Sequence, residues 1–177
     1  MGKVFALWAN YEKSMWWKNK RTPDFTWSKQ LSVGNAILDS EHRNLIAKIN
    51  NIMRLLKAGD AAALPGAFEL LETWLITHFE NEEIYAQAIN FDFKQHELAH
   101  RRLLNEIQSL RGELAAKNWS VSNSEIKSCY AFLHDWLIGH ITGEDMQMKP
   151  ALQNFRYDFI PYCDHAIAVN IDHRLIS

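Results

Sequence analysis

Residues 64–89, LPGAFELLETWLITHFENEEIYAQAI, decide the fold. Leu64, Phe68, Leu71, Leu75, Tyr85 and Ile89 recur at alternating steps of four and three, and the same seam runs through His78 and Glu82. That spacing puts all eight on one face of a helix about seven turns long. Pro65 sits near the start, where proline is tolerated. Histidine prefers the surface or a partnered site, and glutamate is almost never buried unpaired. A buried stripe that carries both therefore implies chemistry as well as packing.

Three further seams flank this one. The first reads His42, Leu45, Ile49, Ile52, Leu56, with Asp39 or Ser40 as the expected N-cap and Gly59 as its end. The third reads Phe93, His96, His100, Leu103, Ile107, Leu110, Leu114. The fourth starts from a Ser/Asn cap at 122–124, reads Ile126, Tyr130, Leu133, Leu137, His140, and is limited by Pro150. Helices of this length joined by short connectors pack as antiparallel neighbours, so the expected fold is all-α: an up-down-up-down antiparallel four-helix bundle. The bundle spans 25–150. It is preceded by an aromatic and basic arm, 1–24, and followed by a tail, 151–177, without clear period.

Composition bounds the alternatives. A chain of 177 residues, 47% hydrophobic and 23% charged, suits one domain with an ample core. A formal charge of −2 gives no large drive toward nucleic acid. No apolar run approaches the ~20 residues needed to span a bilayer, and the patch Val4–Ala9 is too short for a signal-peptide core. The two cysteines, Cys129 and Cys163, have neither metal-type nor disulfide-type spacing and fit a reducing, cytoplasmic setting. Trp8, Trp16 and Trp17 among lysines leave three readings for the arm: packing across the bundle, contact with a protein partner, or contact with a membrane surface.

The histidines converge. His78 and Glu82 project from one helical face, as do His96 and His100, and His42 and His140 lie in register with their own leucine seams. Antiparallel packing brings all of them, with an acid a turn beyond His140, to one end of the bundle. A single zinc takes about four ligands. Seven groups fit a dinuclear centre, and imidazole with carboxylate suits iron, zinc, copper or manganese. Glu97-x-x-His100 is the one motif of the ferritin-type carboxylate kind, so the set is unusually rich in histidine. His134 faces elsewhere on its helix and His165 and His173 lie in the tail, so these three are expected to be non-ligands. Met146 and Met148 read as packing, and Tyr85 and Tyr130 as core aromatics whose hydroxyls find partners.

These residues resemble the hemerythrin family, its bacterial members in particular. The match covers about 25–150. It rests on Trp27-Ser28, Leu31-Ser32-Val33-Gly34, Leu38-Asp39-x-x-His42, His78-Phe79-x-x-Glu82-Glu83, His96-x-x-x-His100 and Trp136-Leu137-x-x-His140-x-x-x-x-Asp145. The resemblance implies a non-haem pair of iron ions, oxo- or hydroxo-bridged, that binds O2 reversibly. By it, His96, His100 and His140 hold one iron, His42 and His78 the other, and Glu82 and Asp145 bridge them. It also implies that Leu45, Phe79, Leu137 and Ile141 line an apolar O2 pocket, and that the bridge proton moves with the electrons so that the centre's net charge does not change.

One spacing resists simple geometry. On a continuous helix the acid sharing a face with His140 is Glu144, whereas the family pattern points to Asp145, which lies ~140° round the helix from His140. A π-type widening or a loosened helix end near Gly143 would admit Asp145; otherwise Glu144 takes its place. The functions this supports are O2 storage, delivery or sensing by a protein that is not an enzyme. The alternative is a di-iron redox enzyme on the same scaffold: an oxidase, a peroxidase or a nitric-oxide-handling protein.

Overall fold

A computed structural model describes residues 23–161 of the chain. Among them there is no strand. Four long helices, α1 (Ala36–Ala58), α2 (Leu64–Ala88), α3 (Lys94–Ala115) and α4 (Asn123–Gly143), are followed by a one-turn helix, α5 (Lys149–Leu152). α1 packs against α2 and α4, and α2 packs against α3. The indole N–H of Trp136 on α4 donates to the Leu103 carbonyl of α3 at 3.3 Å and closes the ring of four. The chain is thus an antiparallel four-helix bundle, and the residues of the α2 seam are buried as the periodicity requires. No described helix is long and apolar enough to cross a membrane.

The helix ends follow local chemistry, with two departures from the sequence reading. α1 begins four residues before the expected Asp39/Ser40 cap. Asn35 is extended and its side chain accepts from the N–H groups of Ile37 (2.9 Å) and Leu38 (3.2 Å). Asp39 is instead inside the first turn, where its buried carboxylate accepts from Ser32 Oγ (2.5 Å) and the Val33 N–H (2.9 Å) and ties the incoming loop to the helix. A carboxylate at that point also suits the positive end of the helix dipole. The second departure is at α4, which ends at Gly143 rather than near Pro150; Pro150 lies in the first turn of α5, where its missing N–H costs nothing.

The other ends fall where the sequence places them. Gly59, at φ +66°, closes α1 with N–H bonds from Gly59 to Leu56 and from Asp60 to Leu55, the paired pattern that a left-handed residue allows. Ser122 opens α4 through a reciprocal pair with Glu125.

The interior is divided. A large apolar cluster, centred on Ile49, Ile52, Phe68, Leu71, Ile107 and Leu133, fills the bundle from the Gly59 end upward. A smaller cluster, including Val33, Leu38, Tyr85, Met148, Leu152 and Phe159, closes the opposite end. Tail residues 151–161 therefore take part in the fold: Leu152 and Phe159 are buried. The arm 1–24 lies outside the described residues apart from its last two. Beyond it, the N–H of Phe25 donates to Asn50 on α1 at 2.8 Å and its ring stacks on Tyr130 of α4.

Asn35 caps α1 and also donates from its buried amide to the Phe159 carbonyl at 2.9 Å. Replacing it with Ala should lower the unfolding free energy by about 1–2 kcal/mol, the upper part of the range for a lost cap. Urea denaturation with an unchanged slope and a lower midpoint is the expected result.

Candidate metal centre

Seven ionisable side chains fill the layer between the two apolar clusters. α1 supplies His42, α2 supplies His78 and Glu82, α3 supplies His96 and His100, and α4 with the turn after it supplies His140 and Asp145. All are buried, the two carboxylates completely. Ring nitrogens and carboxylate oxygens within 4.8 Å of one another form two groups: Glu82, His96, His100, His140 and Asp145, and His42, His78, Glu82 and Asp145. Glu82 and Asp145 belong to both.

The distances show how the layer is arranged. Asp145 lies 3.1 Å from His42 Nε2, 3.1 Å from His96 Nε2 and 3.0 Å from His140 Nε2. Glu82 lies 3.0 Å from His100 Nε2, 3.4 Å from His96 Nε2, 3.6 Å from His78 Nε2 and 3.8 Å from His42 Nε2. Asp145 reaches the layer because α4 stops at Gly143. Glu144 still bonds back to His140, but a 3-10 turn, Asp145–Gln147, then tightens the path and swings Asp145 inward. Of the two acids considered from sequence, Asp145 is in the layer and Glu144 is half-exposed outside it. The mechanism is a loosened helix end, not a π-type widening.

The layer fits cations better than it fits hydrogen bonds. Both oxygens of Glu82 and of Asp145, and Nε2 of His42, His78 and His96, are buried without a hydrogen-bond partner. Nε2 of His100 and of His140 face each other at 3.2 Å. With nothing between them at least one of these nitrogens must carry a proton, whereas a cation between them would take up both lone pairs. Unpaired buried acceptors of this number are rare in a core built only for packing.

Without a cation, protons supply the missing charge. Burial works against charge on His42, but the nearby carboxylates of Asp145 and then Glu82 outweigh it and raise its pKa to about 10. The same balance lifts His96 to about 9. Burial prevails at His140, which falls to about 4, and at His100, which is also lowered. Burial would raise Glu82, but His78, then His100, His42 and His96, hold it well below the usual carboxylate range. Asp145 is likewise held down, against burial and the charge of Glu82, by His140, His42 and His96.

A surrounding shell orients the rings. Glu41, one residue before His42, sends its carboxylate to His78 Nδ1 at 2.9 Å and accepts from Asn81 Nδ2 at 2.6 Å. This fixes the proton of His78 on Nδ1 and leaves Nε2 facing the layer, the arrangement by which carboxylates orient metal-binding histidines. Phe79 stacks on His100 at 3.7 Å between centroids, Phe93 stacks on His96 at 4.6 Å, and Trp27 lies 6.2 Å from His42. Leu45, Leu137 and Ile141 are buried in the large cluster, and Phe79 packs on it half-buried. His134 is half-buried, pairs with Asp135 and stays out of the layer; His165, His173 and Cys163 lie outside the described residues. Cys129 is a buried free thiol, its pKa pushed up to about 12 by burial.

Sequence reasoning missed Glu41 and Asn81. Both lie off the apolar seams, and Glu41 meets His78 across 37 residues of chain. The only local signal was an acidic residue directly beside a seam histidine.

Comparison with known proteins adds four findings. Residues 33–152 match the family model described as Hemerythrin HHE cation binding domain. A "Hemerythrin-like protein" of Naegleria gruberi is 30% identical over 129 residues, covering 72% of this chain and 93% of that protein. A "Bacteriohemerythrin" of Methylococcus capsulatus is 22% identical over the same length, covering 72% and 95%. Among solved structures, wild-type hemerythrin superposes with a TM-score of 0.62 at 22% identity, covering 72% of this chain and 97% of that one.

Two predictions follow the geometry. Because the pKa values of His42 and His96 are raised, their stabilising effect on the metal-free chain is complete below the ordinary value of 6.5 and is lost as pH rises through about 9 and 10. The urea midpoint of the metal-free protein should therefore fall steadily from pH 7 to pH 10. Metal-loaded protein, whose imidazoles are neutral by necessity, should not show that fall. Separately, Glu41→Ala should weaken metal binding by about 10- to 100-fold in chelator competition while the helical circular dichroism stays unchanged.

Proposed function

This chain belongs to the hemerythrin family, and we propose that it binds O2 reversibly at a pair of iron ions held in the seven-residue layer, serving O2 storage, delivery or sensing. The observation that carries the reading is the pair of overlapping ligand groups, which share Glu82 and Asp145 and divide the histidines three to two. On this reading His96, His100 and His140 hold one ion, His42 and His78 hold the other, and the two carboxylates span both. The three-to-two division leaves one ion short of protein ligands and open to a small molecule. The ions, when bound, supply the electrons that O2 takes up and returns.

The residues of the chain account for reversibility. Leu45, Phe79, Leu137 and Ile141 are proposed to line the O2 pocket; their side chains offer neither a proton nor a hydrogen bond, so nothing there drives oxygen chemistry onward. Apolar walls also exclude water, which would otherwise promote loss of reduced oxygen from the site. Glu41 holds the His78 ring at a fixed orientation. No acid–base side chain is assigned to the pocket, which favours a binding protein over an oxidase or peroxidase.

The deciding experiment is an anaerobic O2 titration of reduced protein with counted iron, followed by visible absorption. Two irons per chain and a band that forms with O2 and vanishes under argon are expected. Irreversible conversion would favour a redox enzyme, and one zinc or no iron would refute the centre. Leu137→Ala should speed autoxidation several-fold by admitting water; an unchanged rate would remove Leu137 from the pocket.

A further inference from the structure

Residues 153–161 lie past the end of the family match at residue 152. The side chains from Gln153 to Asp158 are exposed, and Phe159 and Pro161 are buried. Despite its exposure the segment is fastened to two helices at once. The Phe159 carbonyl accepts from the Asn35 amide at the start of α1 (2.9 Å) and from the Tyr85 hydroxyl of α2 (3.1 Å). The Tyr157 carbonyl accepts from the Ala36 N–H at 2.7 Å, and the Tyr157 hydroxyl donates to Asp39 at 2.9 Å. The ring of Phe159 meets Tyr85 edge-on.

Two of these anchor points, Asp39 and Tyr85, lie one helical turn from the candidate ligands. Asp39 precedes His42 by three residues on α1, and Tyr85 follows Glu82 by three on α2. α1 and α2 carry both members of the two-histidine group. Its rings are also the most deeply placed, His42 at 0% and His78 at 1% exposure, against 3%, 5% and 6% for His96, His100 and His140. A hydrated cation cannot reach His42 and His78 unless something opens, and metal sites need an entry path. The segment joins α1 to α2 on that side of the layer through contacts that the bundle's own helices do not supply. Six of its side chains in a row are exposed, and it is held by two buried residues, Phe159 and Pro161, and a few hydrogen bonds, features that favour local opening.

We propose that residues 153–161 are a strap that locks the metal end of α1 to α2, and that its release is the step by which metal enters and leaves the His42/His78 half of the centre. The proposal rests on the two-ion reading above only for its metal arm. The mechanical arm stands on the hydrogen bonds and on Phe159 alone. The strap gives the two halves different lability within one layer: none of the hydrogen bonds named above falls on α3 or α4, which carry the three histidines of the other half.

The test compares the full-length chain with its Phe159→Ala and Tyr157→Phe variants. In metal-free protein, amide hydrogen exchange of residues 38–42 should be at least ~10-fold faster in Phe159→Ala, with a smaller rise in Tyr157→Phe and no change in the middle of α3. In iron-loaded protein, a chelator should remove one of two irons at least ~10-fold faster from Phe159→Ala, the second at the parental rate. Unchanged exchange, or equal acceleration of both irons, overturns the proposal. If Phe159→Ala does not fold, Tyr157→Phe, which removes one hydroxyl, decides by the same two readouts. A chain that takes up no iron refutes the di-iron reading, and the exchange comparison on metal-free protein still decides whether the strap exists.

Discussion

Two carboxylates without access to water, Glu82 and Asp145, set the condition that the rest of the bundle satisfies. Each would be costly to bury alone, and placed together they repel. Five imidazoles answer that cost, every one with Nε2 between 3.0 and 3.8 Å from a carboxylate oxygen. In the metal-free chain the positive charge comes from protons on His42 and His96; cations would supply it by displacing those protons. The same groups can therefore be balanced in two ways, by protons or by cations.

Holding such a layer requires dry surroundings on both sides. The large apolar cluster lies on one side, and the small cluster under Phe159 lies on the other. Removing either would let water solvate the carboxylates and weaken every electrostatic contact within the layer. The aromatic rings of Phe79 and Phe93, stacked on His100 and His96, extend this exclusion to the three-histidine side, which lies nearest the surface. Glu41 serves the opposite side by fixing one ring through its outward nitrogen.

The break after Gly143 shows how backbone and chemistry are joined. A continuous α4 would point Asp145 away from His140, since five residues carry it well past one turn. Stopping the helix and tightening the next three residues into a 3-10 turn reverses that, and the following α5 then folds under the layer as part of the small cluster. The same departure that brings in a carboxylate thus also builds the floor beneath it.

Much of this was legible in the chain itself. The alternating three-and-four steps from Leu64 to Ile89 force a helix with His78 and Glu82 on its buried face, because side-chain direction on a helix depends only on spacing. The same holds for His42, His96, His100 and His140 within their own seams, and Gly59 and Ser122 mark helix ends through backbone chemistry that is local. What spacing could not supply was any relation between distant segments or any departure from regular helix. The choice of Asn35 over Asp39 as cap depends on a loop that claims the Asp39 carboxylate. The contact of Glu41 with His78 depends on how α1 and α2 are rotated against each other. The inward turn of Asp145 depends on where α4 stops, and the role of Tyr157 and Phe159 on a return of the chain across more than a hundred residues. Local periodicity determined which side chains face inward; only the packing of helices against one another decided which of them meet, because those distances are set by the whole core and by no single stretch of it.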